Sequence, residues 1–420
     1  MLTQVRPAAI AAVAALALAG CVPTIRLASG ASTSPGPLPS LPAPPIEPTV
    51  TEGTYQVPDS VDATGLTDAS AALQRFVDQV PNGATIEFPA DGVYRMDHGL
   101  QLWRRHDLVF EGNGATLSAV GSPRRPGDSP FALMFGDERI VVRGFRLEGQ
   151  NPDAGTQDAF HGGDEHLAGF YLGGVTDVLI EGVTITGFYG DCVYLGSNTS
   201  DVWSSRVVFR DSTCTRTGRH GVSVIAARDA TIQRVTFDEI GFMIVDIEPD
   251  REEDGASSIA LLDNTIGTYG LTDEYVSWVL AAYGGADGAP VDDVAIIGNS
   301  ISGVGRTGKD QVALGLSVVA DGRVGPRSGF VIRDNTSTRI VTRTDNGAPI
   351  LIRNVTGVEV TGNRQPMSSG ELAVFRNATE GRLWGQRHRA LRRGVAGSAS
   401  DGAGPHRPDP AATGPARHLD

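Results

Sequence analysis

Four acid–base side chains recur one repeat apart in the middle of the chain: Asp191, His220, Asp246 and Glu248. They lie in three similar segments, Gly190-Asp191-Cys192-Val193-Tyr194-Leu195-Gly196, Arg219-His220-Gly221-Val222-Ser223-Val224 and Met243-Ile244-Val245-Asp246-Ile247-Glu248. Set under one another, Val193, Val222 and Val245 form one column and Leu195, Val224 and Ile247 a second. Tyr194, Ser223 and Asp246 stand between them. Strand side chains alternate in direction, so the apolar columns face a core and the polar column faces outward. Asp246 and Glu248 share that outer face, about 6.6 Å apart along the chain, with Asp191 about 9.6 Å back along the stack. Carboxylates so grouped suit hydrolysis of a glycosidic bond, which needs an acid and a base or nucleophile. His220 is expected to orient a carboxylate or move a proton.

The polar edge extends by repetition. Arg216-Thr217-Gly218-Arg219-His220 has a near copy in Arg306-Thr307-Gly308-Lys309-Asp310, and Thr272-Asp273-Glu274-Tyr275-Val276 fits between them. The edge therefore reads Asp191, His220, Met243, Glu274 and Asp310, with Arg219 and Lys309 one position earlier. Two readings stay open: a solvated corner of alternating charge, or a carbohydrate cleft. In the cleft, Asp191, His220, Asp246 and Glu248 are catalytic and Tyr194, Arg219, Ser223, Glu274, Tyr275, Lys309 and Asp310 bind substrate. Tyr275 and Trp278 are candidate stacking surfaces, and Asp164-Glu165-His166 is placed to overhang the same face. A different chemistry is elimination or C5-epimerisation of a uronic acid, with Arg219 or His220 as base. It would take Ca²⁺ on Asp246, Glu248, Asp250 and the run Glu252-Glu253-Asp254, a run that also reads as a solvated loop. Apart from that Ca²⁺ no cofactor or metal site is expected. A third class is a non-catalytic glycan-binding rod, favoured by an aromatic content of only 6%.

The chain has 420 residues, 53 of them Gly and 25 Pro, and a net charge of −14. That length buries a full core. The acidic balance excludes a nucleic-acid partner that needs a basic face. Residues 8–19 form an apolar run too short to span a bilayer, ending Leu18-Ala19-Gly20-Cys21. This resembles a bacterial lipoprotein lipobox, which implies lipidation of Cys21 and an exported domain on the outer face of the cytoplasmic membrane; an ordinary signal peptide is the alternative. Residues 22–50, rich in Pro, Ser and Ala, read as an extended tether. Export makes Cys192 and Cys214 candidates for a disulfide.

The folded region is expected over 51–385. Thr67-Asp68 precedes an apolar stripe at helical spacing, Ala71, Leu73, Phe76, Val77 and Val80, and reads as its N-cap. From Phe131 a strand–bend–strand template repeats, as in Val178-Leu179-Ile180-Glu181-Gly182-Val183-Thr184-Ile185 and Val294-Ala295-Ile296-Ile297-Gly298-Asn299-Ser300-Ile301. Such self-similarity marks a solenoid, in which Asn264, Asn299, Asn335 and Asn363 are expected to stack at the bends. The tail from 386 is basic, then disordered.

Asp62-Ala63-Thr64-Gly65-Leu66-Thr67-Asp68, Ile86-Glu87-Phe88-Pro89, Gly92-Val93-Tyr94 and Gly112-Asn113-Gly114-Ala115 resemble the entry of the pectate-lyase-like superfamily. The resemblance implies an all-β, right-handed parallel β-helix with a short α-helix capping its N-terminal end, expected to act as a monomer. The order Gly190-Asp191, then Arg219-His220-Gly221, is similar to the polygalacturonase family, where an aspartate pair precedes a Gly-His-Gly coil. Cys192 stands where that family has its second aspartate, so Asp246 and Glu248 would supply the missing carboxylate.

Overall fold

The computed structural model describes residues 41–272, 277–303, 315–338, 349–366, 372–378 and 382–384. Each coil supplies one strand to each of three parallel sheets. Thr176–Glu181 lies in the first sheet, Thr184–Thr186 in the second and Val193–Gly196 in the third; Ser204–Arg210 then re-enters the first beside Thr176–Glu181. Strands three apart in sequence are therefore neighbours in space, the topology of a β-helix.

The expected columns are present. Val193 pairs with Val222 and Val222 with Val245, while Leu195 aligns with Val224 and Val224 with Ile247. All six valine, leucine and isoleucine side chains are buried in the main core. Beta-branched residues dominate because they pack well on a pleated surface with little rotamer freedom to lose. Cys192 and Cys214 form the disulfide, their Cα atoms 6.0 Å apart, and so tie the second sheet to the turn before the third.

The helix Ser70–Gln79 buries Leu73 and Val77 against the first coils, as the apolar spacing requires. Its N-cap differs from the expectation. Ala69 holds that position without a side-chain bond, and Asp68 reaches past it to accept the Ser70 N–H at 2.9 Å. The carboxylate thus serves a helical N–H from one residue further out.

The bends carry the asparagine ladder. Asn264 Nδ2 donates to Asn299 Oδ1 at 2.9 Å, Asn299 to Asn335 at 2.8 Å, and Asn335 to Asn363 at 2.9 Å. Each amide also donates to a backbone carbonyl of an adjoining coil. The residue before each asparagine is left-handed: Asp263, Gly298, Asp334 and Gly362. At Gly298 a Cβ would stand 2.3 Å from Asp263 Oδ1, so the glycine answers both φ and space.

Cutting one rung of this ladder strands buried partners on both sides. Asn299→Leu is expected to cost about 3 kcal/mol, since two Asn264 donors lose their acceptor, while Asn335 Oδ1 keeps only the backbone N–H of residue 299 and Leu261 O loses its side-chain donor. Urea denaturation followed by circular dichroism measures it, and a cost below about 1 kcal/mol would deny the ladder this role.

Candidate functional site

The turn into the third sheet aligns Asp191 with His220 and Met243 on successive coils. Asp191 Oδ1 accepts the His220 backbone N–H at 2.9 Å, and Oδ2 accepts the Ser223 hydroxyl at 2.7 Å. Both oxygens are engaged and the residue is 2% exposed. Asp191 therefore fastens the coil of His220 rather than presenting a free carboxylate. Ser223, expected to meet substrate, is buried with its proton given to Asp191.

His220 is 5% exposed. Its Nδ1 accepts the Met243 backbone N–H at 3.2 Å, which places the ring proton on Nε2. Nε2 lies 3.3 Å from Asp246 Oδ2. Phe242, with Phe160 of the long insertion 4.8 Å beyond, closes the ring off from solvent. Burial and the Arg219 charge hold the imidazole well below its ordinary pKa, so it stays neutral, with Nε2 facing the Asp246 carboxyl.

The carboxylates are pushed upward together. Asp246, 7% exposed, lies well above the usual range through burial, with Glu248, Asp191 and Asp250 adding to the push. Glu248, two residues on, reaches solvent, and crowding by protein raises it too, with Arg219 opposing. Asp250 is raised by its surroundings and by Asp254. Arg219 is the cation among them, its Nε 3.9 Å from Asp191 Oδ1.

Beside this centre a cavity of about 40 Å³ is lined by Glu165, His166, Tyr171, Asp191, Tyr194 and Arg219. It has room for a few waters and not for a sugar ring. The overhang expected of Asp164-Glu165-His166 is present: Gly190 donates to Leu167 O at 3.0 Å, and a Cβ at Gly190 would stand 2.4 Å from Glu165 O. One oxygen of Glu165 is buried without a hydrogen-bond partner among the described residues, facing the charge of Arg219. Tyr171 stacks on Tyr194 with ring centres 4.6 Å apart. Neither Glu165 nor Tyr171 was singled out as a ligand contact from sequence. Tyr171 was legible there, since Phe170-Tyr171-Leu172-Gly173 copies Val193-Tyr194-Leu195-Gly196 one coil earlier.

The charge ladder does not continue. Glu274, Tyr275, Lys309 and Asp310 lie outside the described residues, as does Cys21. Val245 pairs with Leu280 and Leu280 with Val318, so Trp278 and Leu316, not Glu274 and Asp310, follow Met243 along the edge. Trp278 is no stacking platform, being buried among Phe242, Met243, Ala281, Val319 and Leu351. Beyond Asp246 the outward column itself turns apolar, through Ala281, Val319 and Leu351.

Nor does the acidic run suit Ca²⁺. Asp254 is paired with Arg251 at 2.9 Å and accepts the Ser197 hydroxyl. Among the described residues no three His, Cys, Asp or Glu side chains converge on a metal position.

No family model matches this sequence, and no curated protein does. Solved structures do. The Dettilon tailspike protein superposes with a TM-score of 0.51 at 10% identity, over 81% of this chain and 63% of that one. The chain has the right-handed parallel β-helix fold. A 1,3-α-1,4-β-D-galactose-4-sulfate-3,6-anhydro-D-galactose-2-sulfate 4 galactohydrolase matches over 84% of this β-helix chain and 94% of its own, at 13% identity and a TM-score of 0.48. The A-module of the Azotobacter vinelandii mannuronan C-5 epimerase AlgE6 matches over 80% and 98%, at 15% identity and 0.46. Identities this low establish the β-helix and no activity.

The raised pKa of Asp246 makes a stability prediction. The folded state holds the proton more tightly, so above the ordinary aspartate value the unfolded chain ionises first and the fold loses stability as pH rises. Asp246→Asn keeps an acceptor for His220 and removes that loss. Its melting temperature is expected to exceed that of the natural chain by a few degrees at pH 7 and to equal it near pH 3.5. Calorimetry at the two values checks this; a variant less stable at pH 7 contradicts it.

Proposed function

We propose that the protein is an extracytoplasmic, carbohydrate-active β-helix that hydrolyses a polysaccharide, with Asp246 as general acid and Glu248 as base or nucleophile. One observation carries this reading. Two carboxyls on one outward strand face have environments that separate their tasks. Asp246 is buried, faces His220 Nε2 at 3.3 Å and has its proton held well above the usual carboxylate range. Glu248 is exposed and the readier of the two to ionise. The acid gives its proton to the glycosidic oxygen as the bond breaks, while Glu248 either draws a proton from the attacking water or attacks the sugar itself. Asp191, His220 and Ser223 hold the coils that carry this pair, and Tyr171, Tyr194 and Arg219 border the surface where sugar hydroxyls would lie.

The charge of the site favours hydrolysis over uronate chemistry. Glu165, Asp191, Asp246, Glu248 and Asp250 outnumber the guanidinium of Arg219 that faces them, an acidic surrounding that suits a neutral sugar better than a uronate. A second reading, a glycan-binding rod, is supported by a cavity too small to enclose a sugar ring. Export agrees with the Cys192–Cys214 disulfide, which persists in oxidising compartments, and lipid attachment at Cys21 is part of the proposal. Among the described residues no helix is long and apolar enough to cross a membrane. Radiolabelled palmitate incorporated by the natural chain and lost in Cys21→Ser would support the anchor; equal labelling would remove it.

The activity test is release of reducing ends from neutral and uronic polysaccharides. Asp246→Asn and Glu248→Gln are each expected to lower kcat by about 10³-fold or more with the fold intact by circular dichroism. An ultraviolet-absorbing unsaturated product would replace hydrolysis by elimination. Binding of glycan without any product would establish the rod.

A further inference from the structure

The first sheet carries an unusual row on its outer side. One residue per coil adopts a left-handed conformation there: Asp107, Arg139, Asp177, Arg206 and Asp229. The strands pair around this position, as where Thr176 pairs with Ser205 and Val178 with Val207. Aspartate and arginine alternate along the row. Arg139 Nε meets Asp107 at 2.8 Å and Arg206 Nε meets Asp177 at 2.6 Å, so each arginine clamps the aspartate one coil before it. Aspartates therefore recur at every second coil.

Residues 41–50, at the end of the expected tether, run along this row. Thr49 donates its backbone N–H to Asp107 at 3.0 Å, Ile46 to Asp177 at 2.8 Å and Ala43 to Asp229 at 3.4 Å. The donors are three residues apart, and Pro44, Pro45 and Pro48 between them have no N–H to satisfy. Proline fixes its own φ and keeps the preceding residue extended, so the segment is biased to the polyproline II rise of about 3.1 Å per residue. Three residues then span about 9.3 Å. Two coils of a parallel stack span about 9.6 Å. The two periods coincide.

We propose that the outer face of the first sheet is a docking surface for a proline-rich extended segment, with residues 43–49 as its occupant. Recognition is one N–H every third residue against one aspartate every second coil. Arg139 and Arg206 hold the carboxylates of Asp107 and Asp177 in place, and the prolines lower the entropy lost on docking. The reach of the tether is shortened accordingly. The described segment reaches Asp229, level with the coil of Ser223 and several coils from the capped end at Gly53–Gln56.

Hydrogen–deuterium exchange on the full chain tests this, because 41–50 has few exchangeable amides. Ala43, Ile46 and Thr49 are expected to exchange about tenfold or more slowly than in a free peptide of the same sequence. Ile46→Pro deletes the central donor while keeping the extended backbone, and should return Ala43 and Thr49 to the peptide rate. Glu47→Pro, outside the three-residue register, should leave both protected. Unchanged exchange in Thr176–Glu181 confirms that the sheet is intact in each variant. Peptide-like rates in the natural chain overturn the proposal. So does protection that survives Ile46→Pro, or that is lost equally in Glu47→Pro.

Discussion

Parallel stacking at a spacing of about 4.8 Å governs the molecule. Every side chain placed at one position of a coil has a counterpart directly above and below, and the backbone hydrogen bonds between coils leave no freedom to shift it. Like must therefore be reconciled with like along each column. Aliphatic columns solve this by packing, as Val193, Val222 and Val245 do. Amide columns solve it by donating one way along the ladder, as Asn264 to Asn363 do. Charged columns solve it by alternating sign, as Asp107, Arg139, Asp177 and Arg206 do.

The candidate site is where this rule is broken. Around Asp246 the carboxyls of Asp191, Glu248 and Asp250 crowd the guanidinium of Arg219, and the neutral His220 adds no charge to offset them. A stack that elsewhere balances its charges here accepts carboxyls held above their ordinary range. Unbalanced columns are costly for the fold, and function is the usual reason they persist. Asp191 and Ser223 show how the cost is confined: their mutual hydrogen bond locks the coils that the crowding would push apart.

Much of this was legible in the sequence, because a period of two within a strand and a repeat between coils are both visible as letters. The valine and leucine columns, the asparagine ladder and the outward direction of Asp246 follow from them, while the Cys192–Cys214 bond was only a candidate until their Cα atoms were seen 6.0 Å apart. Placement failed where coil length varies. Glu274 and Asp310 were aligned through their similarity to the Arg219-His220 motif, while the structure keeps register through Leu280 and Val318. Burial of His220 was hidden too, since it depends on Phe160 in an insertion far away in sequence. The aspartate row of the first sheet falls at left-handed positions outside the strand alternation, and so carries no periodic signal.

The docked segment also decides how the molecule bears a pull. A load applied through the N-terminal chain runs lengthwise along residues 43–49 and strains three hydrogen bonds in shear, all at once. Were that segment free, the same load would fall on Gly53–Gln56, where a solenoid can be peeled one strand at a time. The proline-rich stretch thus acts as strain relief on a cable, sparing the joint where the coil begins.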